Sequence, residues 1–231
     1  PLHMKICREE KMTRKSKIMD IEQAISKIKD GDRIMVGGFG LRGCPDDLID
    51  ALVATNRKDL TIISNDLGSP AIGLGKLLSN GQVKELIGNF YNWNPDVADA
   101  KNAGNIKVTL IPQGSFAESI RAGGCGIPAY FTLASAGTEL GNGKETREFN
   151  GKKYVLENAL TADVALIKAA KADELGNLVY CKSARNFNPA MATAAKYTIA
   201  QVGEIVPAGN IDPETVITPH IFVNAIVKGV Q

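Results

Sequence analysis

DGDRIMVGGFGLRGCP, residues 30–45, places four glycines within the seven positions from Gly37 to Gly43, between an apolar run and a proline. The run Ile34–Val36 reads as a buried parallel strand, and Gly38-Phe39-Gly40-Leu41-Arg42-Gly43 fits the G-x-G-x-x-G fingerprint of dinucleotide-binding turns. In that fingerprint the third glycine lies inside the helix. Here Pro45 follows Gly43 by two residues, and proline favours the first helical position while its ring restricts the residue before it. The helix is therefore expected to begin near Pro45, with Gly43 outside it and the glycines in a wide loop. A ribose-binding acid belongs about 20 residues further on, at the end of the next strand, and Asp66, 23 residues past Gly43, stands near that place. Two readings are open on these residues: a nucleotide-binding turn, or a strand-to-helix connection whose glycines simply make room.

On either side of this stretch the chain alternates between helix and strand patterns. Asp20 can cap a helix with Ile21, Ala24, Ile25 and Ile28 at helical spacing, ended by Gly31. A helix from Pro45 to about Asn56, with Leu48, Ile49 and Leu52 inward, leads to a strand at Leu60–Ser64, which completes a β-α-β unit. IGLGKLLSNG and NPDVADAKNAG read as helices, QVKELIGNF and IKVTLIP as strands. SFAESIRAGG reads as a helix opened by a capping box of Ser115 and Glu118. A glycine-rich stretch follows, ending in a hairpin about Asn150-Gly151 with TREF and KKYVLE as arms. Strands at ADVALIKA, NLVYCK and YTIAQV and a helix over PAMATAAK complete the pattern. Regular alternation of this kind means an α/β fold with a mostly parallel sheet, in one domain with the hairpin as an excursion.

At 231 residues the chain can bury a large core, and its 44% hydrophobic and 23% charged content are ordinary for a globular protein. The formal charge of +2 is spread along the sequence and gives no electrostatic footprint for nucleic acid. Cys7, Cys44, Cys125 and Cys181 form no close pairs, which argues against a zinc knuckle, a redox motif or a disulfide framework. No apolar stretch is long enough to span a bilayer and no signal region opens the chain, so a cytoplasmic location is expected. Residues 1–18 are expected to be a tag or disordered leader, with PLHM resembling a cloning scar and Met12 a natural start.

Candidate chemistry is sparse. His3 lies in the leader, so His220 is the one imidazole open to a nucleophilic pair, and no carboxylate neighbours it in sequence. No metal-ligand spacing occurs, and no metal is expected. Ligands of open α/β sheets bind beyond the carboxyl ends of the strands, where ISND and IPQG place the amides of Asn65 and Gln113. An amide offers a donor without charge and suits a carbonyl oxygen that becomes negative during acyl transfer; it can equally bond the local turn backbone. In SARNFNP, residues 183–189, Arg185, directly ahead of Asn186 and Asn188, can grip a carboxylate or phosphate, or serve as a structural tie or interface residue.

Taken together, DGDRIMVGGFGLRGCP, ISND, LIPQGSFAESIRAGGCGIPAYFT, REFNGKKYVLE, ADVALIKAAKADELGNLVY and SARNFNPAMATAAK occur in the order found in α subunits of family I CoA-transferases, which the chain resembles from about Met19 to its end. The short-chain group acting on 3-oxoacids, acetate or butyrate, with acetoacetate among its usual partners, is the most similar. The resemblance implies a three-layer α/β/α sandwich and a ping-pong transfer of CoA between carboxylates through a glutamyl-CoA thioester. The glutamate would belong to a β subunit, in an assembly of two αβ pairs or larger, and no catalytic nucleophile is expected in this chain. CoA thioester would be substrate, with no permanently bound cofactor. By resemblance Asn65 and Gln113 support the acyl group, and Gly37, Gly38, Phe39, Gly40 and Gly43 form the substrate-binding glycine loop. GNFYNWNPD, LASAGTELG and ITPH depart from the family pattern, so Tyr91 and Trp93 are expected to narrow the acyl pocket or, like Arg185, to face an interface. The reading outside this family is a stand-alone nucleotide- or sugar-phosphate-binding protein acting through Asp66 or a carboxylate such as Glu139.

Overall fold

The computed structural model describes residues 16–229. Most of the leader expected over residues 1–18 lies outside the described residues; within it, Lys17 N donates to Glu174 O and Ile18 bridges Ile226. In chain order the elements are α1 (Ile21–Ile25), β1 (Arg33–Val36), α2 (Asp46–Ala54), β2 (Leu60–Ile63), α3 (Gly75–Ser79), β3 (Val83–Gly88), α4 (Pro95–Asn102) and β4 (Lys107–Leu110). They continue with α5 (Gln113–Gly124), β5 (Ala129–Thr132), β6 (Thr146–Phe149), β7 (Lys152–Asn158), β8 (Ala162–Asp173), β9 (Leu178–Val179), α6 (Asn188–Thr193), β10 (Ala195–Val206) and β11 (Ala225–Lys228).

Seven parallel strands form the main sheet in the order β11-β10-β8-β1-β2-β3-β4, and β9 joins it antiparallel to β8. The strands read as apolar runs because both faces of a parallel sheet are covered. Side chains alternate between those faces. Ile34, Val36, Ile62, Leu86 and Leu166 pack with α1 to α4 through Ile25, Leu48, Leu52, Leu77 and Val97. Met35, Ile63, Ile87, Ala165 and Ile167 pack with α5 and α6 through Phe116, Ile120 and Met191. The result is the expected three-layer sandwich. Chain order reverses at β1, with β2 to β4 on one side and β8, β10 and β11 on the other. Such a switch point opens a crevice at the strands' carboxyl ends, and the glycine loop leaves β1 there.

The hairpin forms as expected: Asn150 and Gly151 have φ of 52° and 72°, and a two-residue turn with both φ positive matches the twist of its arms. Here β5, which sequence reading leaves within an irregular stretch, adds a third strand in the order β5-β7-β6. Tyr130 Oη ties this small sheet to α5 by donating to Ser115 O at 2.7 Å.

Several expected elements differ. Helix α5 begins at Gln113 with Pro112 at its N-cap, so Ser115 is inside the helix with a buried, unpartnered Oγ and caps nothing. Glu118 instead pairs with Arg121 at 2.6 Å. Proline's fixed φ favours a helix start, and that start prevails over the local capping pattern. NLVYCK supplies only the two residues of β9 before a 3-10 turn over Lys182–Arg185. Among the described residues, no helix is long and apolar enough to cross a membrane.

Candidate active site

The glycine loop, expected to be wide, is instead a tight excursion closed by the Phe39–Arg42 bridge and clamped from several directions. Phe39 N donates to Arg42 O at 3.0 Å and Arg42 N to Phe39 O at 3.1 Å, which leaves Gly40 and Leu41 at the tip. Helix α2 starts only at Asp46, so Gly43 lies outside it as Pro45 implies, and the dinucleotide geometry is absent. Asp66 is buried and accepts from Gly40 N at 2.6 Å and Gly68 N at 2.9 Å. Its carboxyl titrates above the ordinary aspartate range because burial outweighs those two N–H bonds. Asp66 is thus a brace of the loop, with its oxygens turned to backbone and not to a ribose.

SARNFNP holds the other side. Asn186 Oδ1 accepts from Gly38 N at 3.1 Å while its Nδ2 donates to Arg42 O at 2.9 Å. Asn188 is fully buried; its Oδ1 accepts from Lys168 N at 2.9 Å and its Nδ2 donates to Gly43 O at 3.0 Å and Ala184 O at 2.9 Å. Beyond Gly37 the chain leaves β8's edge, and the Asn188 amide takes over as partner of the next free strand N–H. That placement explains Gly37: a Cβ there would stand 1.8 Å from Asn188 Oδ1. Gly43, at φ 72°, is excluded from side chains for a second reason, since a Cβ would come within 2.5 Å of Ala184 O. Arg185, just ahead of these asparagines, is exposed and takes no part in the clamp. Cys44 Sγ donates to Gly40 O at 3.2 Å, and burial, reinforced by Asp46 and Asp66, pushes its thiol up to about 12.

Beside the loop, Asn65 and Gln113 stand at the carboxyl ends of β2 and β4, and a third amide, which sequence reading missed, joins them. Asn65 Nδ2 donates to Asn89 Oδ1 at 2.9 Å, and Asn89 Nδ2 donates to Gln113 Oε1 at 3.0 Å. Each step along the sequence is 24 residues, the length of one strand-helix repeat here, so equal spacing from Asn65 and Gln113 was the available signal for Asn89.

Tyr91 and Trp93 part company. Tyr91 is only 7% exposed and packs in the core. Its Oη lacks a partner at hydrogen-bonding geometry, lies beside Gly88, and burial raises its phenol well above the usual range, with the nearby Ser64 hydroxyl opposing. Trp93 is 60% exposed and stacks edge-on against Phe90 at 5.0 Å. It shares an open depression of about 480 Å3 with Gly40, Leu41, Arg42 and Ser69. Phe39, Leu41 and Ile72 are also exposed around the loop.

The crevice under the loop, lined by Gly37, Gly38, Gly40, Asn65, Asp66 and Gly68 among others, has room for about 10 Å3, about one water molecule. A small-molecule pocket takes about 300 Å3 or more. The space beneath the loop is thus too small for a ligand of that size. Glu139 sits on an exposed 3-10 turn between β5 and β6, and His220 on another turn, where its backbone N donates to Asn177 Oδ1 at 3.0 Å. Neither lines the crevice. Among the described residues, no group of three or more His, Cys, Asp or Glu is arranged to hold a metal ion.

Comparison with known proteins agrees with this picture. The family model described as coenzyme A transferase matches residues 18–229. The chain is 51% identical over 212 residues to the A-type subunit of the succinyl-CoA:3-ketoacid coenzyme A transferase of Helicobacter pylori, covering 92% of this chain and 91% of that protein. It is 46% identical to the alpha subunit of the acetoacetyl-CoA:acetate/butyrate CoA transferase of Clostridium acetobutylicum, covering 92% and 98%. With the A-type subunit of the 3-oxoadipate CoA-transferase of Pseudomonas putida it shares 51% over 90% of each chain. Among solved structures, glutaconate coenzyme A-transferase from Acidaminococcus fermentans superposes with a TM-score of 0.81 at 24% identity, over 92% of this chain and 75% of that one. An acyl-CoA transferase from E. coli O157:H7, solved as a thioester complex with CoA, gives 0.83 at 20% identity; 94% of this chain covers 50% of that one, about half its length. At those identities the structures speak for the fold, while the family match and the relatives near half identity speak for the class: the chain belongs to the coenzyme A transferase family, a group of transferases, and is most like the A-type subunits among them.

Proposed function

We propose that this chain is the α half of a CoA-transferase that moves CoA between a short-chain acyl-CoA, such as acetoacetyl-, acetyl- or butyryl-CoA, and a free carboxylate. Its partner is a β subunit, in an α2β2 assembly or larger, which brings a glutamate to the glycine loop. The observation that carries this reading is the shallow site itself. Among the described residues lining the crevice the one carboxylate is Asp66, and both of its oxygens are engaged by backbone N–H groups of this chain. A nucleophile therefore has to arrive from outside, over a loop whose bare backbone lets another chain and a substrate approach closely.

In the proposed reaction the partner's glutamate attacks the acyl carbonyl and the carbonyl oxygen becomes negative. Expulsion of the CoA thiolate leaves an acyl-glutamyl anhydride. Attack of that thiolate on the glutamyl carbonyl then releases the first carboxylate and leaves glutamyl-CoA, and the second carboxylate reverses these steps. The Gln113 amide presents its Nε2 hydrogens to the developing oxyanion, and the loop from Gly37 to Gly43 lines the path of the acyl group. A preorganised donor at that oxygen contributes about 3 to 4 kcal/mol to the transition state. CoA enters as substrate, and no permanent cofactor is required.

The test is CoA transfer from acetoacetyl-CoA, and from butyryl-CoA, to acetate, with the full chain alone and then with the β-type product of a neighbouring gene. Activity only in the mixture is expected. Activity of this chain alone would mean that one of its own carboxylates is the nucleophile and would overturn the division of labour.

A further inference from the structure

Asn65, Asn89 and Gln113 follow three neighbouring parallel strands, and their amides form one directed chain of hydrogen bonds, Asn65 to Asn89 at 2.9 Å and Asn89 to Gln113 at 3.0 Å. The two ends differ in how firmly they are held. Asn65 is 3% exposed, and its backbone O accepts from Phe90 N at 3.1 Å. Gln113 is exposed at the first position of α5, with a long side chain that loses rotamer freedom when fixed. Nothing but Asn89 bonds its amide among the described residues.

We infer that Asn89 is a positioning residue for the transfer step, tying Gln113 to the buried Asn65 so that the Nε2 end of Gln113 faces the reacting oxygen. The inference rests on the acyl-transfer reading above. An amide has one donor end and one acceptor end. With Oε1 occupied by Asn89 Nδ2, the end of Gln113 left for a ligand is its NH2. Asn89 can impose this direction because it accepts on one side and donates on the other. A carboxylate in its place accepts on both sides, so Gln113 has to turn over to bond it, and its Oε1 then faces an oxygen that is becoming negative.

This gives Asn89→Asp a signature that a merely structural role lacks. In the assembled enzyme, Asn89→Asp is expected to lower kcat at least as far as Gln113→Ala does, by about 10²-fold, with KM for the acyl-CoA changed less than about threefold. Asn89→Ala removes the tie without reversing the amide and is expected to lose about tenfold in kcat, less than a removed oxyanion donor. A second measurement needs no activity: in crystal structures of the complex, Gln113 should leave its wild-type rotamer in Asn89→Ala. Gln113 unmoved in that variant, or Asn89→Asp turning over like wild type, overturns the inference. A wild-type complex with no transfer activity removes the acyl-transfer reading instead, and the rotamer comparison still decides whether Asn89 holds Gln113.

Discussion

Gly37→Ala, taken alone and with Asn188→Ala, is the sharpest test of how the loop is built. A methyl at Gly37 would stand 1.8 Å from Asn188 Oδ1 and 2.6 Å from its Cγ, far inside van der Waals contact, so the asparagine has to move. Asn188 bonds Lys168 N, Gly43 O and Ala184 O from a fully buried position. Leaving those three backbone groups unpaired costs about 1 kcal/mol each once water reaches some of them, so Asn188→Ala is expected to cost about 3 kcal/mol. Gly37→Ala loses the same bonds and adds overpacking of about 2 kcal/mol, about 5 kcal/mol in all. In the double variant the shortened residue 188 leaves space for the methyl. The pair should then be no less stable than Gly37→Ala alone, whereas independent sites would sum to about 8 kcal/mol, so the coupling is about 3 kcal/mol or more. Urea midpoints of the four proteins, with unchanged m-values, measure this directly. A double variant that cannot fold, or that loses the full sum, would falsify the claim that Asn188 is what keeps residue 37 a glycine.

Three further outcomes are expected. Asp66, raised by burial above the ordinary 3.8, keeps its proton in the folded chain at pH values where the unfolded chain has lost it. Its contribution is therefore full below the ordinary value and is lost as pH rises through the folded one; the stability of wild type relative to Asp66→Asn should fall with pH across that window, and a flat or rising difference in urea titrations would count against a desolvated carboxyl. Cys44, with its thiol pushed up to about 12, should resist alkylation in the folded protein while the exposed Cys125 and Cys181 react; mass spectrometry of labelled peptides reads this, and native labelling of Cys44 would show that the loop opens. Trp93 is the only tryptophan and is 60% exposed, so its emission should be red-shifted in the chain alone and move to the blue when a β subunit covers the loop. Unchanged emission in an active complex would remove Trp93 from the interface.

The parts of the fold that were legible in the sequence are those written locally. Apolar runs such as Ile34–Val36 and Leu60–Ile63 are buried on both faces and cannot be mistaken for half-exposed strands. Pro45 marks where α2 can start, and Asn150-Gly151 fixes the hairpin turn. What stayed hidden depends on distant chain or on irregular backbone. The four residues of β5 are all half-buried and show no alternation, so no strand period declares itself there. Tyr91 and Trp93 lie two apart in a segment with neither helical nor strand spacing, so no periodicity tells which one turns inward. Ser115 and Glu118 have the letters of a capping box, but the helix had already begun at Gln113.

The candidate site divides along the same line. Its glycines were visible because glycine is itself the signal, yet the reason for them is in SARNFNP, about 150 residues away, whose asparagines reach Gly38 N and Gly43 O across separations of 148 and 145 residues. Arg185 drew attention as the charged residue of that motif, although the neutral amides beside it do the holding. The same holds for Asn89, which carries no charge and belongs to no short motif. Both oversights have one physical cause. Amides at parallel strand ends act by bridging backbone or one another over about 5 Å, and such partners are set by sheet order, here the reversal at β1, which no local window of sequence contains. A loop braced by Asp66 on one side and by Asn186 and Asn188 on the other is fixed before any ligand arrives. That is what a half-site needs if the reacting carboxylate is to come from a second chain and still meet its substrate in register.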